Sequence, residues 1–260
     1  MARVQAILSG LGLCGRPVTI GHRGARGHAP ENSMAAFEKG AALGADLVEC
    51  DVHLSRDGQV MVIHDETVDR TTAAKGRVQD LAAADLERLD LGDGRGIPRL
   101  VDLLAWVGGR GSDGFGDTSR PLGIVVEIKN GPVFYPDIAA RVVDAIATAG
   151  IVERALVISF DHLAVRDVKA LCPELATGIL YHARLVDPVS VARAARADSI
   201  WPSIAMLTPE VVREAHEAGL AAFTWTANTS AEIDRALSAG VDGAGSDYPD
   251  RLALAIKERF

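Results

Sequence analysis

Cysteine, aromatic side chains and positive charge in excess are all scarce in this chain, and each shortage narrows what it can be. Its three cysteines, Cys14, Cys50 and Cys172, stand far apart with no CxxC pair. That pattern supports neither a disulfide framework nor a thiolate zinc site, and it reads as buried free thiols in a reducing compartment. Aromatics make up 5% of the residues and the formal net charge is −8, a balance that argues against a broad nucleic-acid-binding surface. No segment approaches the roughly 20 consecutive apolar residues of a spanning helix. The opening MARVQAILSGLGLCG has one positive charge, an apolar run broken by Gly10 and Gly12, and Leu13 before its cysteine, so it fails as a leader or lipid-anchor signal. The expectation is a cytoplasmic protein without stable membrane insertion or nucleic-acid partner, with homo-oligomerisation left open.

What is present is an ordinary globular composition, 48% hydrophobic and 24% charged over 260 residues, and a regular alternation of strand and helix patterns. Strand patterns occupy Val18 to Arg23, Leu47 to Leu54, Val60 to His64, Gly123 to Lys129, Leu156 to Phe160, Thr177 to Tyr181, Ser199 to Ser203, Ala221 to Thr226 and Asp242 to Ser246. Helical periodicity falls between them at Ser33 to Leu43, Ile138 to Ala149, Leu163 to Leu171, Pro209 to Ala218 and Ser230 to Ala239. Leu47–Leu54 and Val60–His64 are too close for a crossover and form an antiparallel hairpin. Removing that return strand leaves eight parallel strands, and the chain reads as one α/β domain over residues 1–260, a (β/α)8 TIM barrel with an extra strand on its second. An open doubly wound sheet is the alternative, but no GxGxxG turn follows the first strand. The segment at about 66–98 reads as a polar insertion with a short helix near Ala84 to Leu89, before a crossover helix around Leu100 to Val107. The glycine-rich run Gly108 to Arg120 reads as a loop.

In such a barrel the chemistry gathers at the C-terminal ends of the strands. The stretch ECDVHLSRDGQVMVIHD puts Glu49 and Asp51 on one face of a strand, with Val48, Cys50 and Val52 turned to the helices. With Arg56-Asp57 at the turn centre, Asp51 faces Val62 and Glu49 faces His64. The first strand ends in His22 and Arg23, and the strand from Gly123 brings Glu127 and Lys129 onto one face. Three converging carboxylates repel one another unless a cation lies among them, and oxygen-only donors favour Mg2+ or Ca2+. Two histidines for proton exchange and two cations, Arg23 and Lys129, for phosphate oxygens complete a pattern suited to metal-assisted phosphodiester cleavage. Trp225 is either barrel core or an apolar pocket wall. His53 shares the acidic face nearer the rim, Glu31 and Asn32 are read as helix caps with Glu31 alternatively bracing the site, and His28, His162, His182 and His216 are read as structural or surface residues.

The ordered motifs HRGARGHAPENSMAAF, VECDVHLSRDGQVMVIHDETVDRTT, VVEIK, FTWTAN and GSDYPD resemble those of the glycerophosphodiester phosphodiesterase family from about Ile20 to Pro249. The resemblance implies a TIM barrel related to the phosphoinositide-specific phospholipases C. It implies His22 and His64 as the acid–base pair, Arg23 at the phosphate, Lys129 beside phosphate or metal, and Glu49, Asp51 and Glu127 as ligands of one divalent cation. Ser33 and Ser246 stand where that family usually has threonine, away from these positions. The implied reaction converts a glycerophosphodiester to sn-glycerol 3-phosphate and an alcohol through a cyclic phosphate. Lysophospholipase D-type cleavage is the alternative, while a sensing module or a phosphosugar isomerase leaves the histidines or the acidic cluster without a use.

Overall fold

Eight parallel strands close on themselves in the computed structural model of the chain, which describes residues 2–110 and 121–260. The elements run α1 (Ala2–Gly10), β1 (Val18–Gly21), α2 (Met34–Ala42), β2 (Leu47–Leu54), β3 (Val60–Val62), α3 (Ala83–Leu86), α4 (Leu100–Gly109) and β4 (Gly123–Ile128). They continue as α5 (Ile138–Thr148), β5 (Ala155–Ser159), α6 (His162–Leu171), β6 (Ala176–Tyr181), α7 (Pro188–Ala194), β7 (Ser199–Pro202), α8 (Pro209–Glu217), β8 (Ala221–Thr224), α9 (Ser230–Ala239), β9 (Gly243–Ser246) and α10 (Pro249–Arg259). The circuit β1–β2–β4–β5–β6–β7–β8–β9 returns to β1, with β3 added antiparallel to β2. β2 is long enough for both tasks: Leu47 and Val48 pair with β1, while Val52 to Leu54 pair with β3 beyond the barrel wall.

Alternation along the strands sorts the side chains. Val48, Cys50, Val52, Val126 and Ile128 pack outward with Leu100, Leu103, Leu104, Ile138 and Val142 of the surrounding helices. Leu47, Val125, Leu156, Ile158, Leu180 and Phe223 fill the barrel interior, where Trp201 stacks on Phe223 with ring centroids 4.4 Å apart. Beneath them α1 buries Val4, Ile7 and Leu8 against the strand beginnings. The apolar positions that fail as a membrane signal therefore close the floor of the barrel. Further along the strands, Glu49, Asp51 and Glu127 gather as a buried acidic cluster.

The hairpin register differs by one residue from the spacing argument. Val52 pairs with Val62, His53 with Met61 and Leu54 with Val60, so Asp51 faces Ile63 and Cys50 faces His64. The cause lies in the turn: Gly58 adopts φ 74°, and the Ser55 hydroxyl accepts the Gln59 N–H at 2.9 Å. Ser55 and Gln59 thereby bracket a three-residue loop with glycine in its left-handed position. The polar insertion packs its own small core, Val68, Val78, Ala83, Leu86, Leu91 and Ile97, on Met61 and Ile63 of the returning strand. Its helix spans Ala83–Leu86 rather than Ala84 to Leu89. Of the glycine-rich run, Gly108 and Gly109 end α4 and residues 111–120 lie outside the described residues. The cysteines are free, but only Cys50 is buried; Cys14 is exposed and Cys172 intermediate.

Candidate active site

The turn after β1 is shaped by close backbone approach. A Cβ on Gly21 would lie 2.1 Å from the Gly24 carbonyl oxygen, and Gly24, at φ 86°, leaves only 2.4 Å to the Ala36 backbone for one of its own. Arg23 between them is held at φ 50°, a region that disfavours side chains other than short polar ones. In that conformation its backbone N–H donates to Glu49 Oε2 at 2.8 Å. Asn32, at φ 56°, turns inward: its Nδ2 donates to Asp51 Oδ2 at 2.8 Å and its Oδ1 accepts the Asp51 N–H at 3.3 Å. The cap of α2 is Ser33, which accepts from the Ala36 N–H, so neither Glu31 nor Asn32 has the capping role.

Glu49, Asp51 and Glu127 each offer a carboxylate oxygen within 4.8 Å of the others and are 4%, 0% and 7% exposed. Charges this buried require compensation. Lys129 Nζ lies 3.0 Å from Asp51 Oδ1 and also bonds Glu127, and Arg23 Nε is 3.2 Å from Asp51 Oδ2. Glu49 receives no such cation, and its Oε1 is buried without a hydrogen-bond partner among the described residues. Burial, then Asp51 and Glu127, pushes its carboxyl well above the usual carboxylate range. Burial likewise carries Glu127 up to about 7 against the pull of Lys129. Asp51 goes the other way: burial opposes its charge, but Lys129 and Arg23, then His64 and His22, together outweigh burial and hold it ionised. Two buried carboxylate oxygens without a hydrogen bond among the described residues, Glu49 Oε1 and Asp51 Oδ1, beside the Glu127 carboxylate fit a hard divalent cation, and these three residues can hold one.

Each of the two histidines is fixed from behind. His22 Nδ1 lies 2.6 Å from Asp247 Oδ1, and His64 Nδ1 lies 2.6 Å from Asp65 Oδ1. An ionised carboxylate only accepts, so the N–H of each neutral imidazole sits at Nδ1 and Nε2 remains for proton exchange. Asp247 is itself braced, its Oδ2 accepting from Asn228 Nδ2 at 2.9 Å and its N–H donating to Asn228 Oδ1 at 2.8 Å. Burial lowers the pKa of both rings, in His22 against the bond to Asp247 and in His64 against the charge of Asp51. The rings line different spaces. His64 lines a cavity of about 550 Å³ with Lys129, Asn130, Phe134 and Phe160, whereas His22 lines a small central pocket with Glu49, Trp201 and Trp225. Glu127 borders both.

All eight residues singled out for the site meet at this end of the barrel. Trp225 answers to both of its readings, wall of the central pocket and packed residue whose Nε1 donates to the Trp201 carbonyl at 3.0 Å. His53 is buried, between the Tyr135 hydroxyl at 3.1 Å and the His64 carbonyl at 3.0 Å. His28, His162 and His216 bond Asp250, the Leu180 carbonyl and Asp242, and His182 tilts against the Trp225 ring. Sequence reasoning quoted the stretches holding Asp65, Arg70, Asn228 and Asp247 but gave these four no role. Asp247 follows the end of β9, and the rule that pointed to the other strand ends applies to it equally.

Two imidazoles near a buried carboxylate trio that can hold a hard cation suit the breaking of a phosphate ester, the chemistry of the barrel phosphoric diester hydrolases. Comparison narrows the class: residues 22–251 match the sequence profile of the glycerophosphoryl diester phosphodiesterase family, and the chain belongs to that family, as its motifs indicate. It is 36% identical over 250 residues to the glycerophosphodiester phosphodiesterase of Caldanaerobacter subterraneus subsp. tengcongensis, covering 94% of this chain and 99% of that one. The crystal structure of glycerophosphodiester phosphodiesterase from Agrobacterium tumefaciens superposes with a TM-score of 0.77 at 28% identity, covering 92% of this chain and 99% of that one. A phosphodiesterase from Oleispira antarctica, solved with its product sn-glycerol-3-phosphate, does so with a TM-score of 0.79 at 25% identity, covering 93% and 97% of the two chains. As a family member the chain is a phosphoric diester hydrolase.

Proposed function

We propose that this chain, as one barrel domain, hydrolyses glycerophosphodiesters such as glycerophosphocholine or glycerophosphoethanolamine to sn-glycerol 3-phosphate and an alcohol. His22 and His64 exchange the protons, and one divalent cation, Mg2+ or Ca2+, belongs to Glu49, Asp51 and Glu127. The observation that carries this reading is the buried carboxylate trio, with Glu49 lacking any cationic partner among the described residues, beside two imidazoles each held at Nδ1 by a carboxylate. A hard divalent cation held by these three residues would offset much of their charge, alongside Lys129 and Arg23, and would withdraw charge from phosphoryl oxygens.

The protein's own groups do the rest. Arg23, tied to Glu31 and Asp51, and Lys129, tied to Asp51 and Glu127, present fixed positive charge to the phosphate. Trp225 and Trp201, which both line the central pocket, offer an apolar surface to the glycerol carbons. One histidine takes the proton of the free glycerol hydroxyl next to the phosphodiester, whose oxygen then attacks phosphorus. The other, entering the step as the imidazolium, donates its Nε2 proton to the departing alcohol oxygen. A cyclic phosphate results; the histidines then reverse roles, and water opens the ring. The attacking hydroxyl is already in the substrate, so no separate nucleophile has to be bound. Free cysteines accord with a cytoplasmic setting; no helix among the described residues is long and apolar enough to cross a membrane.

A substrate lacking the hydroxyl adjacent to the phosphodiester separates this route from direct attack by water. The expected result is cleavage of the natural diester and none of the deoxy analogue; comparable turnover of both rules out the cyclic intermediate. One observation favours a second reading, cleavage of lysophospholipids. Phe134, Phe160, Leu163 and Val186, in the segments following β4, β5 and β6, are exposed by 71%, 46%, 59% and 104%, and the two phenylalanines line the larger cavity. Lysolipid turnover exceeding that of the water-soluble diesters would favour this reading.

A further inference from the structure

Arg70 belongs to the insertion between β3 and α4, yet it bonds to both sides of the site. Its Nε donates to Asp65 Oδ2 at 2.7 Å and its Nη2 to Asp65 Oδ1 at 3.1 Å. The same Nη2 donates to Glu31 Oε1 at 2.7 Å, and Nη1 donates to Glu31 Oε2 at 2.9 Å. Asp65 Oδ1 holds His64 Nδ1 at 2.6 Å, and Glu31 Oε1 accepts from Arg23 Nη1 at 2.7 Å. One guanidinium thus completes an unbroken run from Arg23 through Glu31, Arg70 and Asp65 to His64. Among the described residues no other arginine or lysine pairs with Asp65.

The chemistry of the group explains why an arginine stands here. A planar guanidinium offers two edges, and Arg70 uses one on Glu31 and the other on Asp65; a lysine ammonium has a single nitrogen and cannot reproduce that fork. The Arg70 side chain is 47% exposed whereas that of Glu31 is 12% exposed. A contact made from so open a position contributes little to folding, so the bridge is better understood by what it orients. Bonding to Arg70, ahead of the His64 contact, holds the Asp65 carboxyl at about 2, which keeps it a pure acceptor for the His64 ring.

We propose that Arg70 is a positioning residue that couples the phosphate clamp to the proton-exchanging histidine, fixing the His64 ring through Asp65 and the Arg23 guanidinium through Glu31. The inference rests on the roles given to His64 and Arg23 above. Outer partners of this kind typically change activity by about ten- to a hundredfold. Arg70→Ala therefore lowers kcat by that order and raises KM several-fold, with unchanged binding of Mg2+ or Ca2+ by calorimetry and an unchanged melting profile. Arg70→Lys restores one of the two parameters and not both. Combined with Asp65→Asn it lowers kcat no further than the worse single variant, and combined with Glu31→Gln the same holds for KM. An Arg70→Ala enzyme with both parameters within about twofold of wild type, full rescue by lysine, or a loss that tracks melting or metal binding overturns the proposal. His64→Ala separates the levels: if it is inactive while Arg70→Ala is fully active, the coupling alone fails. If His64→Ala keeps wild-type turnover, the underlying acid–base assignment fails and the coupling with it.

Discussion

Glu49→Gln removes one carboxylate from the buried trio while keeping the acceptor that the Arg23 N–H uses. Its new amide N–H groups can also donate toward Asp51 and Glu127, where the Glu49 Oε1 has no partner. With ligand oxygens within 4.8 Å of each other, each full repulsion is at least about 3.5 kcal/mol at an effective dielectric constant of roughly 20. The real relief is smaller. Lys129 offsets part of the charge, and burial raises the Glu49 carboxyl well above the usual range, so that it binds a proton readily when no cation is present. A gain of about 1–2 kcal/mol remains, equivalent to a Tm rise of roughly 2–8 °C for a chain of this size. Saturating Mg2+ or Ca2+ should reverse the order, because a ligand at a hundred times its Kd stabilises the wild type by about 2.7 kcal/mol and the variant has lost a ligand. Thermal unfolding of both proteins in chelator and in each cation reads the effect. A variant less stable than wild type in chelator, or one stabilised equally by the cation, refutes the electrostatic account of the trio.

Asp247→Asn keeps the shape behind His22 but can present an N–H to Nδ1, favouring the wrong tautomer; kcat should fall about ten- to a hundredfold with an unaltered far-ultraviolet spectrum, and an unchanged kcat contradicts the role given to Asp247. Glu31→Gln tests linkage: burial opposes its charge, but the bonds to Arg70 and Arg23 hold the folded carboxyl at about 2 against an ordinary 4.5. A depressed folded value stabilises above the unfolded pKa and is lost as pH falls. The deficit of the variant should therefore be full above about pH 5, modest in size because the Arg70 partner is open to solvent, and shrink toward pH 2. Urea unfolding across that range checks it, and a deficit that ignores pH contradicts it.

The parts of the fold governed by local rules were legible. Period-two alternation placed Val48, Cys50 and Val52 against helices and Glu49 and Asp51 inward, and the short Ser55–Gln59 connection could only make a hairpin. Its register was not legible, because the left-handed Gly58 and the Ser55 hydroxyl bond decide it, and a turn with Arg56-Asp57 at its centre was equally compatible with the letters. Nor was α1: Val4, Ile7 and Leu8 have no evident purpose until a closed barrel presents an apolar floor for them to cover. The brace of His22 was invisible for a different reason. Asp247 and Asn228 lie more than 200 residues away along the chain, and no spacing pattern connects a loop after β1 with one after β9. Arg70 stood in the quoted stretch HDETVDRTT without a role, because its meaning rests on two carboxylates on different elements reaching it at once.

The most direct measurement is release of sn-glycerol 3-phosphate from a panel of glycerophosphodiesters and lysophospholipids by wild type, His22→Ala and His64→Ala, each with Mg2+ or Ca2+ and with chelator. The account predicts turnover of water-soluble diesters by the wild type only, abolished by chelator and restored by the cation, with both variants folded and nearly inactive. Chelator-resistant turnover, turnover of lysolipids alone, or substantial activity in either histidine variant would contradict it.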